Sequence, residues 1–402
     1  MEKSSSDSSS RSQTPPSFST RAIHAGESRS RCADSMTTPI FQTSTFTFKN
    51  SRHIEEYTQE GQEHYEYGRY GNPTAQVAER RLADLEGAED CIVFSSGMSA
   101  ITTTILALIQ SGDHIVFTDD SYKKTLEFCN SFLKKFGVEC TIVSFGDYDA
   151  LDQAVKKNTR FIVSESPTNP YLNIFDLVKL KAIADKHGVM TLIDSTFSTP
   201  YNQRPIEFGI DLVLQSATKY LAGHNDVLAG AVLGRKEMID QIRNLHKIMG
   251  GILDPQACYL LIRGLKTFPL RVQKQNESTL KIAHFLENHP KIKRVYYPFL
   301  ESHPHYKIAV EQMSGGGGVV SFEIKGDLQT AKRFLDSLKL CTIGPSLGGV
   351  ETLITHPAMV SYYDFSKEER EQLGISDTLF RLAVGIEEAD DIIEDLNQGL
   401  NQ

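Results

Sequence analysis

Short apolar runs rich in β-branched residues alternate with amphipathic segments between residues 91 and 214. Such runs are typical of strands buried on both faces, and helices fit the segments between them. The pattern predicts an α/β fold with a mostly parallel sheet and helices on both faces. The predicted strands are Cys91–Phe94, His114–Phe117, Thr141–Val143, Phe161–Val163, Met190–Ile193 and Leu212–Leu214, and two of the predicted helices are Leu126–Phe136 and Leu177–His187.

The pattern changes on both sides of this region. Residues 1–20 are rich in serine and lack apolar periodicity, which predicts a disordered tail. An arm over residues 21–63 then leads into a large domain over residues 64–262, whose first amphipathic helix has Asn72 or Thr74 as its candidate N-cap. Long helices and mixed segments over residues 263–402 predict a smaller C-terminal α+β domain.

Charge and composition narrow the class of partner. The 402 residues include 51 acidic and 42 basic side chains, and no basic stripe stands out, which disfavours nucleic acid. No run reaches the roughly 18 apolar residues of a membrane-spanning helix, so we expect no membrane partner. Small molecules are the expected partners.

Cysteine and histidine spacing bears on metal binding and on location. The six cysteines are scattered and the twelve histidines have no ligand spacing, which predicts free thiols in a reducing compartment and no metal site. The cytoplasm is favoured, with the plastid as the alternative. The serine-rich start resembles a transit peptide in composition but carries Glu2 and Asp7.

Polar residues follow four of the predicted strands at their carboxyl ends. In parallel sheets ligands bind beyond these ends, so the four groups are expected to lie together. The groups are Ser95–Met98, Glu165–Asn169, Asp194–Thr196 and Ser216–Lys219.

Lys219 is the residue that gives this edge a chemical interpretation. A lysine in a hydroxyl-rich turn is usually solvated, and this interpretation stays open when Lys219 is considered by itself. The alternative is a Schiff-base lysine for an aldehyde cofactor such as pyridoxal phosphate, whose amine must be desolvated or placed near another cation.

Other residues at this edge match the needs of pyridoxal phosphate. Asp194 is the candidate for holding the ring nitrogen protonated, although an aspartate that caps a loop is the competing interpretation. Ser96, Gly97 and Met98 lie at a helix start, where backbone amides bind phosphate, although a plain turn is also possible. Tyr122 is placed to cover the ring, and Asn169 to donate to its phenolic oxygen.

Five motifs in order carry a family resemblance. They are YGRYGNPT from Tyr67, SSGM from Ser95, ESPTNP from Glu165, SATKYLAGHNDVLAG from Ser216 and SLGGVETL from Ser346. On these motifs the chain, from about residue 38 to 399, resembles the Cys/Met metabolism family of fold-type I pyridoxal-phosphate enzymes. Within that family it is most similar to cystathionine γ-synthases of the plant type.

The resemblance implies roles for residues at the cofactor and the substrate. It implies that Lys219 forms the Schiff base, Asp194 binds the pyridine nitrogen and Tyr122 stacks on the ring. Arg381 and Ser346 would hold the substrate carboxylate, and Glu66 and Glu351 resemble positions that recognise substrate amino groups. The implied phosphate ligands are Ser96, Gly97, Met98, Ser216 and Thr218, with Tyr67 and Arg69 reaching the phosphate of a neighbouring subunit.

Because Tyr67 and Arg69 would reach the phosphate of a neighbouring subunit, the resemblance implies that a dimer is the smallest active unit. The arm would contact the partner subunit, and we expect a homotetramer of two dimers. The implied reaction is γ-replacement, in which an activated homoserine and cysteine give cystathionine in methionine biosynthesis by transsulfuration. Lys124 is the candidate for binding a phosphate leaving group, which favours O-phosphohomoserine, although it can also be read as a solvated lysine. Two alternatives stay open: a γ-lyase acting on cystathionine or methionine, and a non-catalytic regulatory protein that binds pyridoxal phosphate.

Overall fold

The computed structural model describes residues 15–28 and 32–402. Most of the tail predicted to be disordered, residues 1–14, lies outside the described residues. The tail was predicted to extend to residue 20, but Phe18–Thr20 belong to a helix. Phe18 anchors this helix by packing its ring against Tyr201 and Phe268, at centroid distances of 5.4 and 6.1 Å.

Strands and helices alternate through the first part of the chain and change order in the second. The strands are β1 (Asp90–Phe94), β2 (His114–Thr118), β3 (Glu139–Val143), β4 (Thr159–Glu165), β5 (Met190–Asp194), β6 (Leu212–Gln215), β7 (Gly230–Gly234), β8 (Ile292–Tyr296), β9 (Val319–Ile324), β10 (Thr342–Ile343), β11 (Leu353–Thr355) and β12 (Leu379–Ala383).

The α-helices are α1 (Phe18–His24), α2 (Ser51–Thr58), α3 (Pro73–Glu86), α4 (Gly97–Leu108), α5 (Lys123–Glu127), α6 (Tyr148–Ala154), α7 (Leu177–His187), α8 (Thr199–Asn202), α9 (Lys236–Met249), α10 (Pro255–Glu287), α11 (Tyr306–Gln312), α12 (Leu328–Ser337), α13 (Pro357–Val360), α14 (Lys367–Gln372) and α15 (Ala389–Leu400). Short 3-10 turns occupy Cys32–Asp34, Leu133–Phe136 and Pro205–Phe208, and a π-helical turn occupies Phe128–Phe132.

The large sheet has the strand order β1-β7-β6-β5-β4-β2-β3. Its strands from β2 to β6 pair in parallel, whereas β7 is antiparallel to both neighbours, β1 and β6. The prediction of a mostly parallel sheet with the six named strands is therefore confirmed. Strand β7 was not predicted, because its sequence GAVLG has glycine at both ends.

Both faces of the large sheet are covered by helices. Ile115 and Phe117 pack in one apolar cluster with Ile239 of α9, while Val116 between them packs in another with Leu180 of α7. This alternation follows from the two-residue period of a strand, and it explains why these strands are apolar at consecutive positions. No described helix is long and apolar enough to cross a bilayer.

The second sheet has the strand order β10-β11-β12-β9-β8 and is largely antiparallel. The helix α10 connects it to the first sheet. Leu261 and Phe268 in its first half belong to the core cluster of α3 and β7, whereas Ile282 and Leu286 in its second half belong to the cluster of the second sheet. The predicted domain boundary after residue 262 falls inside this helix, so the division into domains stays a prediction.

The candidate N-cap of the first large helix is resolved in favour of Asn72. Its Oδ1 accepts hydrogen bonds from the backbone N–H groups of Thr74 and Ala75, at 2.8 and 3.4 Å. Its Nδ2 donates to the carbonyl of Phe41, which fastens the arm to the start of α3. All six cysteines are free thiols.

Candidate active site

Lys219 lies in the turn that follows β6, at the carboxyl edge of the large sheet. Its backbone N–H donates to the Ser216 carbonyl at 3.0 Å, and the Gly223 N–H donates to the Lys219 carbonyl at 2.7 Å. The half-buried ammonium donates to Ser346 Oγ at 2.9 Å. Burial lowers the pKa of Lys219, and the nearby guanidinium of Arg381 lowers it further. Both effects favour the neutral, nucleophilic amine.

A buried arginine that the sequence did not indicate holds the Lys219 turn in place. Arg271 of α10 donates to the carbonyl of Tyr220 at 2.8 Å and to the carbonyl of Gly264 at 2.9 Å. From the other side, a Cβ on Gly348 would lie 2.5 Å from the backbone nitrogen of Tyr220. The lysine turn is therefore fixed between α10 and the loop that carries Ser346.

Asp194 ends β5 and receives two hydrogen bonds from Thr196. The Thr196 N–H and Oγ1 donate to Asp194 Oδ1 at 3.0 and 2.5 Å. Burial raises the pKa of Asp194 to about 6, against the lowering effect of these two donors. The Thr196 hydroxyl also accepts from the backbone N–H of Ser216 at 2.8 Å, which links the Asp194 carboxylate to the lysine turn.

The turn at Ser96 places a helix start beside the lysine turn. Ser96 caps α4 by accepting from the Ser99 N–H at 3.0 Å. A Cβ on Gly97 would lie 3.2 Å from the Cβ of Ser216, and one on Gly230 would lie 2.3 Å from the Ser96 carbonyl oxygen. With no side chain at these two glycines, the lysine turn and β7 pack closely against the start of a twelve-residue helix, whose first amides stabilise an anion. We call this arrangement the cradle.

Thr218 forms the remaining side of this cradle. Its Oγ1 accepts from the Ala229 N–H at 2.9 Å and donates to the Ala229 carbonyl at 3.1 Å, which ties the lysine turn to the start of β7. The unpredicted strand β7 thus forms part of the support of the site. The cradle, the carboxylate of Asp194 and the amine of Lys219 fit the phosphate, ring nitrogen and aldehyde of pyridoxal phosphate.

Arg381 of β12 is a buried cation near the amine. It donates to Asn169 Oδ1 at 3.0 Å and to the carbonyls of Pro345 and Ser346 at 2.9 and 3.1 Å. Its Nε is buried and makes no hydrogen bond among the described residues. Burial lowers the pKa of Arg381 to about 10, so it stays charged at neutral pH. A charged guanidinium with a spare donor suits a carboxylate ligand.

Tyr122, Lys123 and Lys124 lie next to one another where α5 begins. Tyr122 is 49% exposed and precedes α5. Lys124 is exposed and pairs with Glu127 Oε2 at 2.6 Å. Lys123 instead pairs with Asp364 Oδ1 at 2.9 Å and lies 4.3 Å from the centre of the Phe365 ring. Described contacts do not bring Lys124 to Lys219, so its role stays a prediction.

The remaining predicted residues have their contacts elsewhere within the chain. Arg69 donates to the Lys247 carbonyl and lies 5.5 and 4.8 Å from the ring centres of Tyr67 and Tyr70, in the wall of a cleft of about 950 Å³ beside the arm. Glu66 accepts from the Tyr57 hydroxyl at 3.2 Å. Glu351 is exposed and accepts from Asn225 Nδ2 at 2.7 Å. Their predicted roles stay untested.

Known proteins that resemble this chain belong to one enzyme family. The family model described as Cys/Met metabolism PLP-dependent enzyme matches residues 19–401. Cystathionine gamma-synthase 1, chloroplastic, of Nicotiana tabacum is 46% identical over 94% of this chain and 71% of its own length. The L-methionine gamma-lyase of Fusobacterium nucleatum subsp. nucleatum is 45% identical over 95% of this chain and 98% of its own.

The solved structures agree with the sequence comparisons. The crystal structure of MetB from Corynebacterium glutamicum superposes with a TM-score of 0.90 at 36% identity, covering 96% of this chain and 98% of that chain. The fold is therefore that of fold-type I pyridoxal-phosphate enzymes. Synthases and lyases match at similar identity, so these matches define the family and leave the reaction open.

We expect Lys219→Ala to abolish covalent attachment of pyridoxal phosphate, because Lys219 lies in the turn that packs against the Ser96 helix start and that Thr196 links to Asp194. The purified variant should lack the yellow absorbance that borohydride removes, and mapping of reduced wild-type peptides should find the cofactor on Lys219. Lys123→Ala is the matched control and should keep the absorbance. A Lys219→Ala variant that retains a borohydride-reducible chromophore would contradict the assignment.

Proposed function

Because the chain belongs to the Cys/Met metabolism family of PLP-dependent enzymes, we propose that it is a cystathionine γ-synthase. It joins an activated homoserine to cysteine and gives cystathionine. The observation that carries the proposal is the half-buried amine of Lys219, 2.9 Å from Ser346 Oγ and close to the cation of Arg381. The likeness to the tobacco synthase is consistent with replacement.

Pyridoxal phosphate, when bound, draws electrons from the α carbon of an amino acid and makes its proton acidic. In the proposed reaction, Arg381 binds the substrate carboxylate and Ser346 orients it. The neutral amine of Lys219 takes the α proton and then moves a β proton, which suits a tethered base beside both carbons. The leaving group departs from the γ carbon with its bonding electrons, and the cysteine sulfur gives up its proton, which ends on the released phosphate, and forms the new bond there. Lys219 then returns a proton to the β carbon and one to the α carbon.

We propose further roles around the cofactor from the family resemblance. Asp194 holds the ring nitrogen protonated, Tyr122 covers the ring and Asn169 donates to the phenolic oxygen. The cradle of Ser96, Gly97, Met98, Ser216 and Thr218 binds the phosphate. Glu66 and Glu351 are proposed to recognise substrate amino groups.

A methionine γ-lyase is the second candidate, because the Fusobacterium relative with that name is nearly as similar as the tobacco synthase. The location in the cell also stays a proposal. We favour the cytoplasm, and the plastid stays the alternative because the tobacco protein is named as chloroplastic.

Product analysis tests the proposed reaction. The holoenzyme incubated with O-phosphohomoserine and cysteine should give cystathionine and phosphate in equal amounts, detected by mass spectrometry and a phosphate assay. Methionine alone should react much more slowly. Release of 2-oxobutanoate, ammonia and methanethiol from methionine, without cystathionine from any homoserine ester, would identify a γ-lyase instead. A protein that binds the cofactor and turns over none of these compounds would support the regulatory alternative.

We propose that Lys124 sets the preference among activated homoserines, the donors of the reaction. Its ammonium is exposed and shared with Glu127, so solvent screening limits its effect on a phosphate group. We expect Lys124→Ala to lower kcat/KM for O-phosphohomoserine by about tenfold more than for O-acetylhomoserine, with the difference shrinking at high salt. Lys123→Ala should affect both donors equally, since Lys123 binds Asp364. Equal losses on both donors in Lys124→Ala would show that this lysine does not bind the phosphate.

We also propose that two chains share each site and that two such dimers form a tetramer. The proposal is supported by Arg69 and Tyr67, whose described contacts are with each other, with Tyr70, with Thr45 of the arm and with the Lys247 carbonyl rather than with Lys219. Exposed apolar side chains at Leu228, Ile248 and Leu270 also support it. A cation at the phosphate then comes from the neighbouring chain.

Mixing inactive chains tests the shared site. Lys219→Ala and Arg69→Ala homodimers should both be nearly inactive. In a heterodimer, two-fold symmetry places both changes in one site and leaves the other intact, so up to half of the wild-type activity per dimer should return. Mixing Lys219→Ala with Asp194→Ala is the control. Each of these residues belongs to its own chain's site, so each site of the heterodimer carries one defect and no activity should return. Verified heterodimers of the first pair that stay inactive would contradict shared sites.

A further inference from the structure

A second buried carboxyl group lies beside Asp194. Glu165 is the last residue of β4, Asp194 is the last residue of β5, and the two are paired in register in this parallel sheet. Neighbouring residues in register point to the same face of a sheet, with strands about 4.8 Å apart. Glu165 is 5% exposed, and its Oε2 makes no hydrogen bond among the described residues.

The two carboxyl groups differ in how well their negative charge is stabilised. Asp194 accepts both the N–H and the hydroxyl of Thr196, whereas Glu165 has the backbone N–H of Tyr122 as its described donor. Two adjacent buried carboxylates cannot both be ionised without a large cost, so such pairs retain a proton. Asp194, whose negative charge is stabilised by two hydrogen bonds, is the one that stays ionised.

The other charged groups around Glu165 reinforce this division. Asp120, in the loop after β2, adds a further negative charge, while Arg381 of β12 supplies a smaller opposing effect. Burial first, then Asp120 and Glu165, raise the pKa of the nearby Tyr362 hydroxyl. Burial first, then the charges of Asp194 and Asp120, raise the pKa of Glu165 well above its usual range.

We propose that Glu165 is a positioning residue that holds the one proton shared by the Glu165–Asp194 pair, which leaves Asp194 as the single anion opposite the cofactor's ring nitrogen. The proposal rests on the proposed function only for the position of that nitrogen. A pair with one negative charge matches the one positive charge of a protonated ring nitrogen, so binding leaves no uncompensated charge in a buried site.

Infrared spectroscopy of the cofactor-free protein tests the proton directly, because a carboxylic acid and a carboxylate absorb at different frequencies. The wild-type spectrum minus that of Glu165→Gln should show a protonated acid at neutral pH. Glu86→Gln is the matched control, since Glu86 is another fully buried glutamate whose pKa burial raises. Pyridoxal phosphate should alter the Glu165 band and leave the Glu86 band unchanged.

Cofactor affinity gives a second measurement. Because glutamine is neutral like the protonated acid, Glu165→Gln should change the Kd for pyridoxal phosphate by less than about threefold, whereas Asp194→Asn should raise it by more than about tenfold. If Glu165→Gln does not fold, Asp194→Asn still tests the pair. Removing the neighbouring negative charge should lower, by at least about one unit, the pH at which the Glu165 band disappears.

A carboxylate band for Glu165 at neutral pH would overturn the proposal, as would a loss of affinity in Glu165→Gln equal to that in Asp194→Asn. Neither result depends on turnover. The proposed reaction and the proposed proton can therefore fail separately.

Discussion

Burial of charge at the carboxyl edge of the large sheet is the constraint on which the rest of the site depends. Desolvation is the largest influence on the pKa of Lys219, Asp194, Glu165 and Arg381 alike, and it moves each toward its neutral form. Partners modify this effect differently at each group: two donors from Thr196 oppose the pKa shift of Asp194, Tyr220 and Glu165 oppose that of Arg381, and the cation of Arg381 adds to that of Lys219. The amine becomes reactive because the surrounding structure keeps water away from it.

Those partners come from distant parts of the chain. Lys219 and Ser346 are 127 residues apart in sequence, and Arg381 reaches Asn169 across 212. The second sheet is therefore part of the site, because β12 and the loop before β11 supply the cation and the hydroxyl. Without the second sheet, Lys219 would have no Arg381 beside it to bind a substrate carboxylate.

Much of the large sheet could be predicted because each strand carries its own signal. A β-branched run such as Phe161–Val163 is apolar at consecutive positions since both faces of the sheet are covered. Asn72 is of a residue type that often caps helices, so it indicates where α3 begins. The strand β7 could not be predicted, since Gly230 and Gly234 are required by close contacts with Ser96 and Asp211 that only the folded chain reveals. The segment Leu126–Phe136 was predicted as one helix, but it passes from α to π to 3-10 geometry. The roles of Arg271 and Thr196 were missed because each depends on backbone groups that the fold brings close.

The helix α10 has a consequence for how this protein can change over evolutionary time. Its first half completes the core beside α3, and its second half completes the core of the second sheet. A recombination event within it would leave two unfinished helices, each with an apolar face open to water. We therefore expect the two sheets to be inherited as one unit.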